Sequence, residues 1–169
     1  LPEYVLCWVN SKLYNYVFEC LFDGLRMSGG YLLFSAPNLK STYIKPLEED
    51  TQRLFVNLST AIEKTWADFL SIRNSFTQLL QSKFDLPKPS TKLKNWPKLD
   101  FKGFLAELRK AKVELSLEDE AEWMQYFNKK KTEANALQSE IHRIDKEIDQ
   151  MVYALYGLTP EEIEIVENS

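Results

Sequence analysis

The residues that most often carry catalysis are sparse in this sequence. His142 is the single histidine, and it lies on a predicted acidic helix with no Cys or Ser nucleophile close to it, so we expect a surface residue. No Cys/His spacing fits zinc, and neither a Walker loop nor a dinucleotide glycine pattern occurs. The many carboxylates fall on solvated faces of predicted helices. We therefore expect no catalytic residue, no metal site and no cofactor site within the chain.

A group of residues in the first third could instead contact nucleic acid. The pair Gly29-Gly30 precedes the apolar run Tyr31–Phe34, and glycine lets a backbone approach a ligand closely. Polar side chains around the pair could bond phosphates or base edges. Taken singly these signals are weak, because a glycine pair is more often only a turn and Tyr31 more often a packing residue. The candidate DNA-binding residues are Arg26, Ser28, Gly29, Gly30, Tyr31, Ser35, Asn38 and Lys40.

The elements that must position these residues begin with a helix. Apolar residues recur every three or four positions until Asp23-Gly24, which we expect to end it. Two short strands follow, Tyr31–Phe34 and Thr42–Ile44, with a turn at Ala36–Asn38. Two strands alone make no stable sheet, so their partners must come from elsewhere. The predicted buried face of the helix is Leu6, Val9, Leu13, Tyr16 and Cys20.

Two long helices dominate the rest of the chain. Heptad seams predict one helix over about 48–82 and another from Ser116 to Tyr156, ending at Gly157. A Pro- and Lys-rich linker at 83–99 and a short helix over 100–112 join them, so we expect an antiparallel pair. The predicted fold is mainly α, with a small β element (an α+β remnant). The predicted domains are 1–47 and 48–169.

Length and charge further limit the classes of protein and the location of a binding site for a polyanion. The 169 residues have a net charge of −4, of which residues 100–169 contribute −7, so a polyanion should bind the first hundred residues. No apolar run is long enough to cross a membrane, and no basic segment followed by an apolar one, as in a signal peptide, follows Leu1. Two cysteines are too few for a disulfide scaffold and suit a reducing cytoplasm. Because the sequence begins with Leu1, we expect a fragment of a larger protein.

Several segments together resemble a known family. The helix with Asn-Ser-Lys-Leu at 10–13, the Gly-Gly-aromatic strand and the Ile-x-Pro element at 44–46, followed by an acidic pair and Gln52, resemble the C-terminal half of a DNA target-recognition domain. Such domains occur in type I specificity subunits and in bifunctional type IIG restriction–modification enzymes. Lys94-Asn95-Trp96 and Leu99-Asp100-Phe101 look like segments of the type IIG methyltransferases. The run from Ile144 to Thr159 looks like their C-terminal signature.

The resemblance implies a parent protein that methylates adenine at N6 with S-adenosylmethionine and cleaves DNA with Mg²⁺ where a nuclease is fused. The Asn-Pro-Pro-aromatic methyltransferase motif is absent from these 169 residues. This chain would therefore be the specificity end. Its implied partners are double-stranded DNA and the methyltransferase/nuclease region of the parent, in the cytoplasm of a bacterium or archaeon.

A second hypothesis is a helical protein–protein interaction module without DNA contact. The heptads and the acidic C-terminal third favour it. In that case the linker lysines are ordinary surface charge, although five positive charges flanking Trp96 could also contact a phosphate backbone. In either case we expect Trp96 to anchor the linker on the helices.

Overall fold

The computed structural model describes residues 2–22 and 35–169, and within them the fold is mainly α, as predicted. Residues that are close in space group into two compact units. Unit 1 comprises the described residues up to Ile62 together with Arg143–Ser169, and unit 2 comprises Glu63–His142. These units differ from the predicted domains, 1–47 and 48–169, because the boundaries of unit 2 fall inside the two long helices. The helices are α1 (Pro2–Asn10), α2 (Lys12–Phe22), α3 (Ala36–Lys40), α4 (Glu49–Phe84), α5 (Thr91–Lys94), α6 (Phe101–Lys110), α7 (Leu117–Tyr156) and α8 (Pro160–Glu167), with a 3₁₀ turn at Trp96–Lys98.

Local capping interactions start and end the helices, and the end of α7 at Gly157 is as predicted. The Asp100 carboxylate accepts the Gly103 N–H at 2.7 Å and caps α6. Gly157 ends α7 with a φ of +71°, a left-handed conformation that a side chain would disfavour. Thr159 and Glu162 form a reciprocal capping box at the start of α8.

The first helical segment differs from the prediction. It is two helices that break at Ser11, whose Oγ donates to the Trp8 carbonyl at 2.7 Å and accepts the Tyr14 N–H at 3.2 Å. This side chain offers the backbone an alternative to a continuous helix. The break turns a different face inward, so Leu6 is 48% exposed and Cys20 is exposed. The predicted single helix and its buried face were therefore wrong in these respects.

Unit 1 encloses an apolar core drawn from distant parts of the chain. α1 and α2 supply most of the aromatic rings and α4 and α7 supply the others, while α8 contributes the aliphatic Val166. Burying such side chains is the main favourable term in folding. The fully enclosed members of this core include Tyr14, Phe18, Phe55, Ile144, Val152 and Tyr153.

Unit 2 is built around stacked aromatic rings. Phe84 of α4 contacts Trp123 of α7, and Phe76 contacts Phe127, with ring centroids 5.3 Å and 6.0 Å apart. Residue numbers fall along one helix as they rise along the other, so the two helices run antiparallel within this unit, as predicted. The stretch predicted as a linker contains α5 and the 3₁₀ turn. Trp96 in that turn is fully buried and stacks on Phe76 at 4.1 Å, as expected of an anchor.

Candidate nucleic-acid interface

Three of the eight predicted DNA-binding residues lie within the described residues. They are Ser35, Asn38 and Lys40, in the segment 35–48 that leads into α4. The predicted strand Tyr31–Phe34 falls outside the described residues. So do the remaining candidates, Arg26, Ser28, Gly29, Gly30 and Tyr31.

The described candidates lie on or beside a short helix where a turn was predicted. Ser35 is the N-cap of α3, and its Oγ accepts the Asn38 N–H at 3.4 Å. The Asn38 carbonyl accepts a 2.7 Å bond from the Ser41 hydroxyl. Lys40 is exposed and has no ion pair among the described residues. Ser35 therefore shapes the segment, while Lys40 presents a positive charge to solvent.

The predicted strand at Thr42–Ile44 is not formed. Among the described residues, backbone groups at and next to this stretch bond to a side chain: the Tyr156 hydroxyl donates to the Tyr43 carbonyl at 3.3 Å and accepts the Lys45 N–H at 3.0 Å. This prediction was wrong because extended residues next to a helix can satisfy their backbone groups without a sheet. Tyr43 itself is 69% exposed.

Lys45 fixes the segment by its own backbone and side chain. Its carbonyl accepts the Tyr4 hydroxyl at 2.7 Å, and its ammonium donates to the Leu155 carbonyl at 2.8 Å, at the end of α7. A cation at a helix C-terminus is favoured by the exposed carbonyls. Because the Lys45 ammonium has this partner, Lys40 is the better placed of the two lysines to contact a ligand.

A second set of polar contacts holds α2 against the C-terminal end of the chain. The buried Asp149 carboxylate accepts the Lys12 N–H at 2.8 Å and so caps the start of α2. The Lys12 ammonium pairs with Glu167, which also accepts the Tyr153 hydroxyl at 2.8 Å. Burial raises the pKa of Asp149, whereas the bond from Lys12 lowers the pKa of Glu167. Each of these groups has a partner, as expected of a structural network.

The contacts of Tyr156 and Asp149 could not be predicted from the sequence. Both residues belong to the segment that resembles a C-terminal signature, but the spacing of a motif does not say which distant residue it contacts. Both residues lie beside the apolar seam of α7 and not in it, so the heptad spacing assigns them to the solvated faces and gives no signal of these contacts. A satisfied polar group is the usual reason for a polar residue in a buried position.

Groups for other chemistry are placed apart. His142 is exposed on α7, and neither Cys7 nor Cys20 forms a disulfide. Within residues 2–22 and 35–169, no three His, Cys, Asp or Glu side chains are grouped so that they could hold a metal ion. None of the described helices combines the length and hydropathy needed to cross a membrane.

Comparison with known proteins gives one match. A family model described as a domain of unknown function (DUF8810) matches residues 48–152, which is more than half of the chain. The match runs from the start of α4 through most of α7. No curated protein and no solved structure matches the chain.

Proposed function

Since the chain belongs to the family of the domain of unknown function DUF8810, a description that names no activity, we propose its function from its residues. We propose that it is the DNA sequence-recognition region of a restriction–modification enzyme similar to the type IIG proteins. In this proposal it directs N6-adenine methylation, and cleavage where a nuclease is fused, to a target site. S-adenosylmethionine and Mg²⁺ would be held by the methyltransferase and nuclease regions of the parent, in a bacterial or archaeal cytoplasm.

One observation carries the proposal: the separate motifs on which the resemblance rests contact one another. The Asn-Ser-Lys-Leu helix is capped by Asp149 of the C-terminal signature, and the Ile-x-Pro element is bonded to Tyr156 of the same signature. The residues joined by these bonds are 137 and 111 positions apart in sequence. Motifs that bond to one another within unit 1 give a physical reason for their occurrence together in one family of proteins.

In this proposal the segment 35–48 suits base recognition because one end is fixed while some of its side chains are exposed. Loops on a rigid scaffold can vary their contacts without disturbing the rest of a protein. Here the bonds around Lys45 fix the end of the segment 35–48, while Lys40 and Tyr43 remain exposed. A lysine contributes a phosphate contact that sets register, and an exposed aromatic ring can pack against sugar or base. Base-specific contacts in this proposal come from the predicted residues around Arg26.

The test is methylation by the complete protein that contains this chain. N6-methyladenine is mapped across a genome by single-molecule sequencing in cells that express the wild type, Arg26→Ala, Lys40→Ala or the control Lys129→Ala. Lys129 is an exposed lysine of α7 outside the segment, so its variant matches the loss of charge. We expect Arg26→Ala to lose about 1–3 kcal/mol of discrimination at its base pair. Lys40→Ala should lower methylation at every target site, and Lys129→Ala should leave it unchanged.

Unchanged methylation in both Arg26→Ala and Lys40→Ala would contradict the assignment of the recognition segment. The absence of any methylated motif in the wild type would contradict the proposed function itself. Because Lys40 is exposed, its variant should keep the wild-type melting temperature, so lost methylation would not be explained by unfolding.

A helical interaction module without DNA contact is the second candidate. The observation that favours it is on α4, where Trp66 and Leu70 stand one turn apart and are 42% and 36% exposed. Exposed apolar side chains of this size are enriched at protein interfaces. The two candidates differ in salt dependence. Binding to duplex DNA must weaken steeply as salt rises, whereas binding through Trp66 and Leu70 should not.

A further inference from the structure

Unit 2 contains a concentration of positive charge that the proposed recognition segment does not use. Residues 83–112 hold nine Lys and Arg against three acids, a net charge of +6, whereas the other residues sum to −10. All nine basic residues are exposed. Four of them fall within eleven residues and are called the basic face here: Lys92, Lys94, Lys98 and Lys102.

The basic face is presented by an ordered segment. Between its lysines lie Leu93, Trp96 and Pro97, all buried. The Trp96 indole N–H donates to the Arg73 carbonyl of α4 at 3.2 Å, which fixes the 3₁₀ turn on unit 2. Since the apolar side chains of the segment face the core, the exposed lysines lie on its outer side. An ordered backbone reduces the entropy lost when such lysines bind a ligand.

The acids in this stretch do little to neutralise the lysines. The Asp100 carboxylate is engaged as the cap of α6. Glu107 is buried and accepts bonds from the Lys110 ammonium at 2.7 Å and the Ser90 hydroxyl at 2.9 Å. These bonds lower its pKa, and the charge of Lys92 has a smaller effect in the same direction. Among the described residues none of the four lysines of the basic face forms an ion pair. Their charge therefore remains available to an external anion.

We propose that the basic face binds the phosphate backbone of duplex DNA without regard to sequence. This choice of ligand rests on the proposed function, and it adds a contact region in unit 2 that neither the recognition segment nor the family description includes. Phosphates spaced along a duplex suit several separate lysines that each act as a point charge. A membrane surface is a poorer fit, because Leu93, Trp96 and Pro97 are buried, Leu99 and Phe101 are partly buried, and no apolar residue between the lysines is fully exposed for insertion.

The test measures binding of the 169-residue chain to a fluorescent 20-base-pair duplex of random sequence over a range of KCl concentrations. The variant changes Lys92, Lys94 and Lys98 to Gln. The matched control changes Lys64, Lys129 and Lys146 to Gln, three exposed lysines outside residues 83–112. Each phosphate contact contributes about −0.9 to the slope of log affinity against log salt, so the variant should flatten the slope by up to about 2.7. At low salt we expect the variant to bind at least about tenfold more weakly than the control.

Equal losses of affinity in variant and control would overturn the proposal, because they would reflect net charge alone. Binding of the wild type to vesicles containing phosphatidylserine but not to the duplex would also overturn it. Far-UV circular dichroism establishes that both variants are folded. Failure of this proposal can be distinguished from failure of the proposed function. Loss of the basic face should weaken binding to every duplex equally, whereas the methylated motif of the complete protein should stay unchanged. Arg26→Ala should change the motif instead.

Discussion

The two compact units are held by different kinds of interaction. In unit 1, polar side chains bond to main-chain groups far away in sequence, as Asp149 does to Lys12 and Tyr156 to Lys45. In unit 2, the interior is largely rings, with Phe76 packed among Trp96, Phe104 and Phe127. Hydrogen bonds are directional and fix one geometry, whereas ring packing mainly fills volume and excludes water.

This difference matches the two proposed roles. A segment that reads bases must be held at a defined position, and directional bonds at Lys45 supply that constraint. A face that binds phosphates without sequence preference needs only a stable platform, which a large aromatic core provides. We therefore expect that removing a single ring in unit 2 lowers the free energy of unfolding by more than removing a single polar group in unit 1.

The largest effect is expected from Trp96→Ala. Trp96 is fully buried and its ring stacks on Phe76, so its removal leaves a large cavity and breaks the bond from the indole N–H to the Arg73 carbonyl. We expect the free energy of unfolding to fall by about 3–5 kcal/mol. Urea denaturation followed by far-UV circular dichroism measures it without depending on the lost fluorophore.

Trp66→Ala is the matched control for this prediction. Trp66 is the same residue type in the same unit but is 42% exposed, so we expect a loss below about 1 kcal/mol. If both tryptophan variants lost the same stability, the description of unit 2 as a ring-filled core would be wrong.

A smaller loss is expected from Asp149→Ala in unit 1. The change leaves the Lys12 N–H without its acceptor in a partly buried position and removes the cap of α2. We expect a loss of about 1–3 kcal/mol. Asp149→Asn keeps a carbonyl oxygen that can accept the same N–H, so it should retain part of the lost stability. No difference between the Ala and Asn variants would show that the cap contributes little.

The sequence was informative about the fold where the relevant forces are local. Heptad spacing predicted both long helices, and Gly157 predicted the end of α7, because each signal lies within a few residues of its effect. The break at Ser11 was not predicted. A serine inside an apolar repeat reads as a helix, and whether its hydroxyl bonds to the backbone depends on the tertiary packing of Trp8 and Tyr14.

The candidate site was less accessible to sequence reasoning. The residue types around Lys40 indicated a polar ligand, but the bonds that hold the segment join Lys45 to Tyr4 and Tyr156. Such pairs are set by the fold as a whole, and no local pattern specifies them. For the same reason the sequence indicated only solvent-exposed charge for the linker lysines. In the structure, the buried Trp96 between them orders the segment.

The smallest expected effect is the contribution of Asp149 to the pH dependence of stability in unit 1. Burial raises the pKa of Asp149 above its ordinary value of 3.8, against the opposing effects of the Lys12 N–H and charge, and the charges of Glu167 and Asp145 raise it further. A raised carboxyl pKa means that the folded protein binds a proton more readily than the unfolded chain. Between the raised pKa and 3.8, this group therefore makes the folded state more stable as the pH falls.

Asp149→Asn isolates that contribution, because asparagine does not titrate. The stability of the wild type relative to Asp149→Asn should rise as the pH is lowered from 7 towards 4, measured by urea denaturation at each pH. Glu167, whose pKa is lowered by Lys12, acts in the opposite direction, and its stabilisation is lost as the pH falls. Since Glu167 is present in both proteins, its effect largely cancels in the difference. A wild type that weakened relative to the variant on acidification would mean that the Lys12 bond outweighs burial at Asp149, and the cap of α2 would then be an ionic one.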